Sequence, residues 1–155
     1  MNYIAINLQL IEMKKVYLII LAFLTILLVG CAGTGTKNLA SLNHHFDTSG
    51  ESKVFVIRDN AYVGSAVVMV AHLNNIAIGE IGAGEMIVAK TVPGKNTLKI
   101  RMGGLIGEES SISFMSNGKD HNFFLARLQS GLFSAELKIT ETTENSWKLE
   151  STQNK

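Results

Sequence analysis

The chain is poor in cysteine. Cys31 is the only one among 155 residues, so no disulfide can form within it. It also lacks any charge imbalance: Lys+Arg is 14 and Asp+Glu is 13. Setting aside Lys14, Lys15 and Glu12 leaves twelve of each sign in residues 31–155. A neutral chain offers no basic field to nucleic acid and no acidic tail, so no nucleic-acid partner is expected. No repeat occurs at solenoid period, and no Gly-x-Ser-x-Gly elbow announces a hydrolase serine. No apolar run reaches the roughly 20 residues that a spanning helix needs.

One shorter run is present. Lys14 and Lys15 precede 14 uncharged residues, Val16 to Val29, and then Gly30-Cys31-Ala32. Positive residues, an apolar core and small residues in that order make a secretory signal peptide, which predicts an N-terminal signal helix over 1–30. Residues 1–12 do not fit this grammar, and Met13 makes the more natural start.

The stretch Leu28-Val29-Gly30-Cys31 resembles the lipobox of bacterial lipoproteins. The resemblance implies cleavage between Gly30 and Cys31, a diacylglycerol thioether on the Cys31 thiol and an acyl group on the new amino terminus. Cysteine suits this chemistry because its thiolate is the strongest side-chain nucleophile near neutral pH. Acylation at more than one point gives stable anchoring, which a single chain does not. Ala32 after the cysteine, in place of Asp, resembles the choice of outer-membrane lipoproteins. The expected location is therefore the periplasmic face of the outer membrane.

Removing the leader leaves 125 residues, enough for one domain with its own core. Residues 31–52 are rich in Gly, Thr, Ser and Asn and read as a lipidated tether. His44, His45 and Asp47 lie there; without further ligands at metal spacing they read as a solvated linker, and no metal site is expected.

From Lys53 short β-type runs alternate with turn signals. Val54–Ile57 is apolar throughout and predicts a central strand. Val67–Leu73 and Ile76–Ile78 flank Asn74-Asn75, a signal for a tight hairpin of the I′ kind. Met86–Val92 leads to Pro93-Gly94, which suits a type II turn. Leu98, Ile100 and Met102 alternate with polar residues, as do Ala135, Leu137 and Ile139. Ser111–Met115 and His121–Leu128 flank Asn117-Gly118. The fold class is all-β, an antiparallel β-sandwich of seven to eight strands over 53–143. Residues 144–155, polar except for Trp147 and Leu149, read as a tail or one short element.

Several of these pieces together resemble a family of bacterial lipoproteins, the domain of unknown function 2846. They are Val54–Arg58, Val63–Ala66, Ile78–Glu80, Val92–Leu98 and Gly131–Phe133 with Glu136-Leu137. The strand-Pro-Gly-strand piece also resembles PEGA surface modules. The resemblance implies an immunoglobulin-like or PEGA-like sandwich and an envelope location, with no established activity. Phe55 stands where that family often has Tyr, and Asn96 where it often has His.

Candidate chemistry is sparse. Gly79, Gly82 and Gly84 lie between strands, not at a strand-to-helix junction, so they read as turns or bulges and no cofactor is expected. Arg58 closes an apolar strand and must be paired with a carboxylate such as Asp59 or Glu85, or else receive a ligand anion. Leu105, Ile106, Leu132 and Phe133 sit in glycine-framed loops and are the candidate contact surface for a partner or the bilayer, packing across the domain end being the other reading. Two functions follow: a non-enzymatic lipoprotein binding another envelope component, or a small glycan- or metabolite-modifying enzyme using His72 or His121 with a carboxylate.

Overall fold

The computed structural model describes residues 14, 15, 18, 33–47, 50–61, 64–103, 107–130 and 135–153. Residues 1–31 form one compact unit, of which Lys14, Lys15 and Leu18 are helical and exposed. Residues 32–155 form the second.

The second unit contains eight strands: β1 (Lys53–Arg58), β2 (Met69–Leu73), β3 (Ile76–Ile81), β4 (Met86–Lys90), β5 (Gly94–Met102), β6 (Glu109–Ser116), β7 (Asn122–Ser130) and β8 (Ala135–Thr142). They form two four-stranded sheets, in order β4-β1-β7-β8 and β3-β2-β5-β6. No pairing closes them into a barrel. Val54 and Val56 of β1, Phe124 and Ala126 of β7, Ala71 of β2 and Leu98 and Ile100 of β5 share one buried core between the sheets.

One feature departs from the expected antiparallel arrangement. β1 and β7 run parallel, with Val54 opposite Asn122 and Arg58 opposite Ala126. Turn chemistry specifies antiparallel neighbours only, whereas a parallel pair requires a long connection that leaves no local mark.

The turns follow their residues. Asn74 and Asn75 both have positive φ, 51° and 68°, as a I′ hairpin requires. Gly94 has φ 100°, as the second central residue of a Pro-Gly turn must. Asn96 is buried and locks that turn: its Nδ2 donates to the Val92 and Gly94 carbonyls at 2.8 and 3.0 Å, and its Oδ1 accepts from Asn74.

A second core covers the outer face of the β1–β7 sheet. Phe55, Ile57, Met86 and Phe123 are buried there beneath Leu42 and Trp147. Leu42 belongs to a 3₁₀ helix, η1 (Leu39–His45), capped by the Asn38 side chain. Trp147 belongs to α1 (Glu144–Gln153) and is 0% exposed. Thr143 caps α1, its Oγ1 accepting from the Ser146 N–H at 3.2 Å. Lys148 lies 4.3 Å from the Phe46 ring centroid and joins the two coverings.

Within the segment expected as a tether, Gly33–Thr36 and η1 pack on the domain, and of the two readings of 144–155, a tail or one short element, the structure has the element, a docked helix. In each, one large apolar side chain (Leu42, Trp147) supplies burial that a polar average conceals.

Candidate functional site

Of the residues singled out in the sequence, Gly30, Cys31, Leu105, Ile106, Leu132 and Phe133 lie outside the described residues. The described residues resume at Gly33, and the placement of Gly33 to Thr36 is specific. Gly33 to Thr36 runs between β3 and β4, the neighbouring edge strands of the two sheets. Gly35 N–H donates to the Glu80 carbonyl at 3.0 Å. Thr36 and Met86 exchange backbone hydrogen bonds at 2.9 and 2.8 Å. Thr34 Oγ1 accepts from the Glu80 N–H at 2.8 Å.

This strap requires glycine at one position for lack of space. A Cβ on Gly33 would meet Gly82 N at 2.7 Å and Glu80 O at 2.9 Å, both backbone atoms. Glu85 braces the same turn, accepting from the Gly82 N–H at 2.8 Å. The strap occupies hydrogen-bonding groups that an open sandwich edge would otherwise present to other chains.

Arg58 is 1% exposed. Its guanidinium donates to the carbonyls of Val67, Gly64 (2.5 Å) and Ile81 (3.4 Å). Burial lowers its pKa, while the charges of Asp59 and Glu85 favour the charged form. The cation holds the chain leaving β1 against the start of β2 and the end of β3. Main-chain carbonyls accept these hydrogen bonds, and the charges of Asp59 and Glu85 act on the same cation.

The histidines do not converge. His72 alternates along β2 with the core residues Ala71 and Leu73, so it faces outward from the β2–β5 sheet. His121 precedes β7 on the opposite outer face, with its ring 5.3 Å from that of Phe55. His121 Nδ1 accepts from the Lys53 N–H at 3.3 Å. Burial, then the Lys53 charge, lowers the His121 pKa, with the Phe46 backbone, Glu144 and Asp120 pulling the other way. The His44 and His45 ring centroids lie 3.8 Å apart with the rings tilted by 41°, and among the described residues no three His, Cys, Asp or Glu side chains cluster to hold a metal.

A cleft of about 270 Å³ lies where α1 leaves the sheet, lined in part by Ile57, Leu125, Arg127, Thr140, Trp147 and Glu150. Arg127 bridges its mouth, 3.1 Å from Glu150 and 3.7 Å from Asp59. Burial raises the Asp59 pKa, Arg127 opposing it and Glu150 adding to it. The cation is thus already shared between two carboxylates, and the cleft presents an ion-pair network instead of an open anion seat.

Sequence reasoning missed the strap and the cover by α1. The spacing Gly33-Thr-Gly35-Thr was a signal for close backbone packing, which composition alone read as flexibility. No family model, curated protein or solved structure matches the chain.

Proposed function

We propose that the chain is a lipid-anchored protein of the bacterial cell envelope whose β domain binds another envelope component without catalysis. The observation that carries this reading is the lipobox-like Leu28-Val29-Gly30-Cys31 behind a signal-type leader, with the chain's only cysteine at its end. The immunoglobulin-like or PEGA-like form of the sandwich, the resemblance to the domain of unknown function 2846 and the outer-membrane location belong to the same proposal.

The placement of His72 and His121 on opposite outer faces weighs against the enzymatic alternative. A general acid or base must come within about 3 Å of the proton it transfers, usually beside an orienting partner. Neither histidine brings the other into one site.

Intact mass of the purified mature protein tests the anchor. The expected chain begins at Cys31 and carries acyl mass, and Cys31→Ala releases the protein from membranes. An unmodified amino terminus upstream of Cys31 would refute both cleavage and lipidation. In-cell crosslinking of wild type and Leu132→Asp tests the partner: loss of a specific crosslinked species in the variant is expected, and identical profiles would remove that loop as the contact.

A further inference from the structure

A sheet edge presents a row of backbone N–H and C=O groups, and proteins guard it with bulges, short strands, charges or a covering segment. Three of the four edge strands of this domain are guarded in those ways. β3 and β4 adjoin each other at the strap, which bonds Gly35 to Glu80 and Thr36 to Met86. β3 also bulges: Ala71 pairs with Gly79 and His72 with Ala77, which leaves Ile78 over. β8 carries Glu136, Lys138 and Glu141 at exposed positions.

The fourth edge strand, β6, has none of these devices. Among the described residues it pairs with β5 alone, residue for residue, from Gly94 opposite Ser116 to Arg101 opposite Glu109. Its eight residues include no Lys, Arg or Pro. Its one charge, Glu109, is engaged within the sheet, 3.1 Å from Lys99 and 3.2 Å from Arg101. Met115 on its outer face is 69% exposed. A long, regular and neutral edge is a template for another strand.

The strand is also close to its own complement. Side chains alternate between the faces of a strand, and directly opposed residues of an antiparallel pair share a face. Ile112 and Phe114 face the core. Turned about a two-fold axis through Ser113, β6 sets Ile112 against Phe114, and Ser110 against Ser116, on that core face. On the outer face Ser113 meets itself, Ser111 meets Met115 and Glu109 meets Asn117. No like charges are opposed, and the apolar residues of the core face meet each other.

We propose that β6 pairs antiparallel with β6 of a second copy of this chain, Ser113 opposite Ser113, so that two four-stranded sheets become one of eight. A second copy is the occupant because the strand complements itself on both faces at once. The pairing is isologous, so it uses up the edge of both copies and stops at two. It extends the core of each domain through Ile112 and Phe114 and needs no lipid anchor.

Light scattering and sedimentation of the purified protein test the pairing. Wild type is expected to be a dimer that dissociates on dilution. Ser113→Lys and Ser113→Glu each place like charges directly opposite at the axis, and each should lose the dimer. Mixed, they oppose Lys to Glu and should regain it. Trp147 emission matching wild type establishes that each variant is folded. Ser113→Cys tests the same register without a charge: a short bismaleimide should join residue 113 of one copy to residue 113 of the other, identified by peptide mapping. A wild type that stays monomeric at every concentration would overturn the second copy as the occupant, whatever other chain it bound. A dimer untouched by both charged variants would overturn β6 as its seam. A dimer lost in both and not restored by mixing, or a dimer that gives no 113-to-113 product, would overturn the register centred on Ser113.

Discussion

Gly33→Ala places a methyl group where the structure leaves no room, and its effect follows from what surrounds it. The new Cβ would lie 2.7 Å from Gly82 N and 2.9 Å from Glu80 O. Neither atom can swing aside as a side chain would. The turn that carries them is held by Gly82 N–H to Glu85 Oε2 at 2.8 Å and Glu85 N–H to Gly82 O at 3.1 Å. Overpacking of this kind costs about 1–3 kcal/mol. Three backbone hydrogen bonds hold Gly35 and Thr36, each worth about 0.5–1.5 kcal/mol net before the entropy of ordering the strap, about 1–2 kcal/mol per residue. The penalty therefore rivals what holds the strap, while the core between the sheets is untouched. Release of the strap is the expected response, and global unfolding is not. The amide protons of Thr36 and Met86, which hydrogen-bond across this edge, should lose protection by roughly 5- to 150-fold, the range that 1–3 kcal/mol spans at 1.36 kcal/mol per tenfold. Hydrogen exchange on the purified protein measures this, with Gly107→Ala, whose Cβ meets nothing within 4 Å, as the control. Unchanged protection at Thr36 and Met86 in Gly33→Ala would refute the placement of the strap between β3 and β4.

Three further outcomes are expected. Trp147→Ala removes a fully buried indole packed on Phe46, Phe55 and Phe123 and should destabilise the domain by about 3–5 kcal/mol in urea titration. As the only tryptophan, Trp147 should emit blue-shifted in the native wild type; a fully solvated spectrum would contradict a docked α1. Arg58→Met strips donors from the Gly64, Val67 and Ile81 carbonyls; at about 1–3 kcal/mol per orphaned buried group it should destabilise by at least about 2 kcal/mol, and a loss well below that would show the carbonyls to be satisfied otherwise. His121 is held below the ordinary imidazole value chiefly by burial, so the unfolded chain binds the proton more readily than the folded one. Stability should fall as pH drops from about 6.5 through the lowered folded value, and this slope should diminish in His121→Asn. His45, lowered in the same direction by burial, His44 and Lys53, supplies the remainder.

Elements that report on themselves were legible in the sequence. Leu98, Ile100 and Met102 alternate with Thr97, Lys99 and Arg101 because β5 has one face in the core and one in water, and the structure buries that apolar set. Asn74-Asn75 tolerates positive φ twice and marked its own turn. Pairing between distant segments was not legible. β1 meets β7 across more than sixty residues, and nothing in either strand names the other. The sheet order and the parallel pair arise from how the core closes, a property of the whole chain. Arg58 was visible as a buried-cation problem, but the three carbonyls that accept its hydrogen bonds are groups every residue possesses and no sequence displays.

One unread signal did sit in plain view. Val54–Ile57 is apolar at every position, whereas β5 is apolar at every second one. A strand apolar on both faces must be covered on both. The partner sheet covers one face of β1, so a second layer had to come from elsewhere in the chain. No further amphipathic run was left over to supply it. It came from two polar segments with isolated large side chains: Leu42 and Phe46 before β1, and Trp147 after β8. The rings of Phe46 and Trp147 meet at 6.0 Å over Phe55. The segment preceding β1 and the helix following β8 therefore complete one layer together. Trimming either segment as linker or tail exposes the same central strand, and each truncation should produce the same loss of the second core.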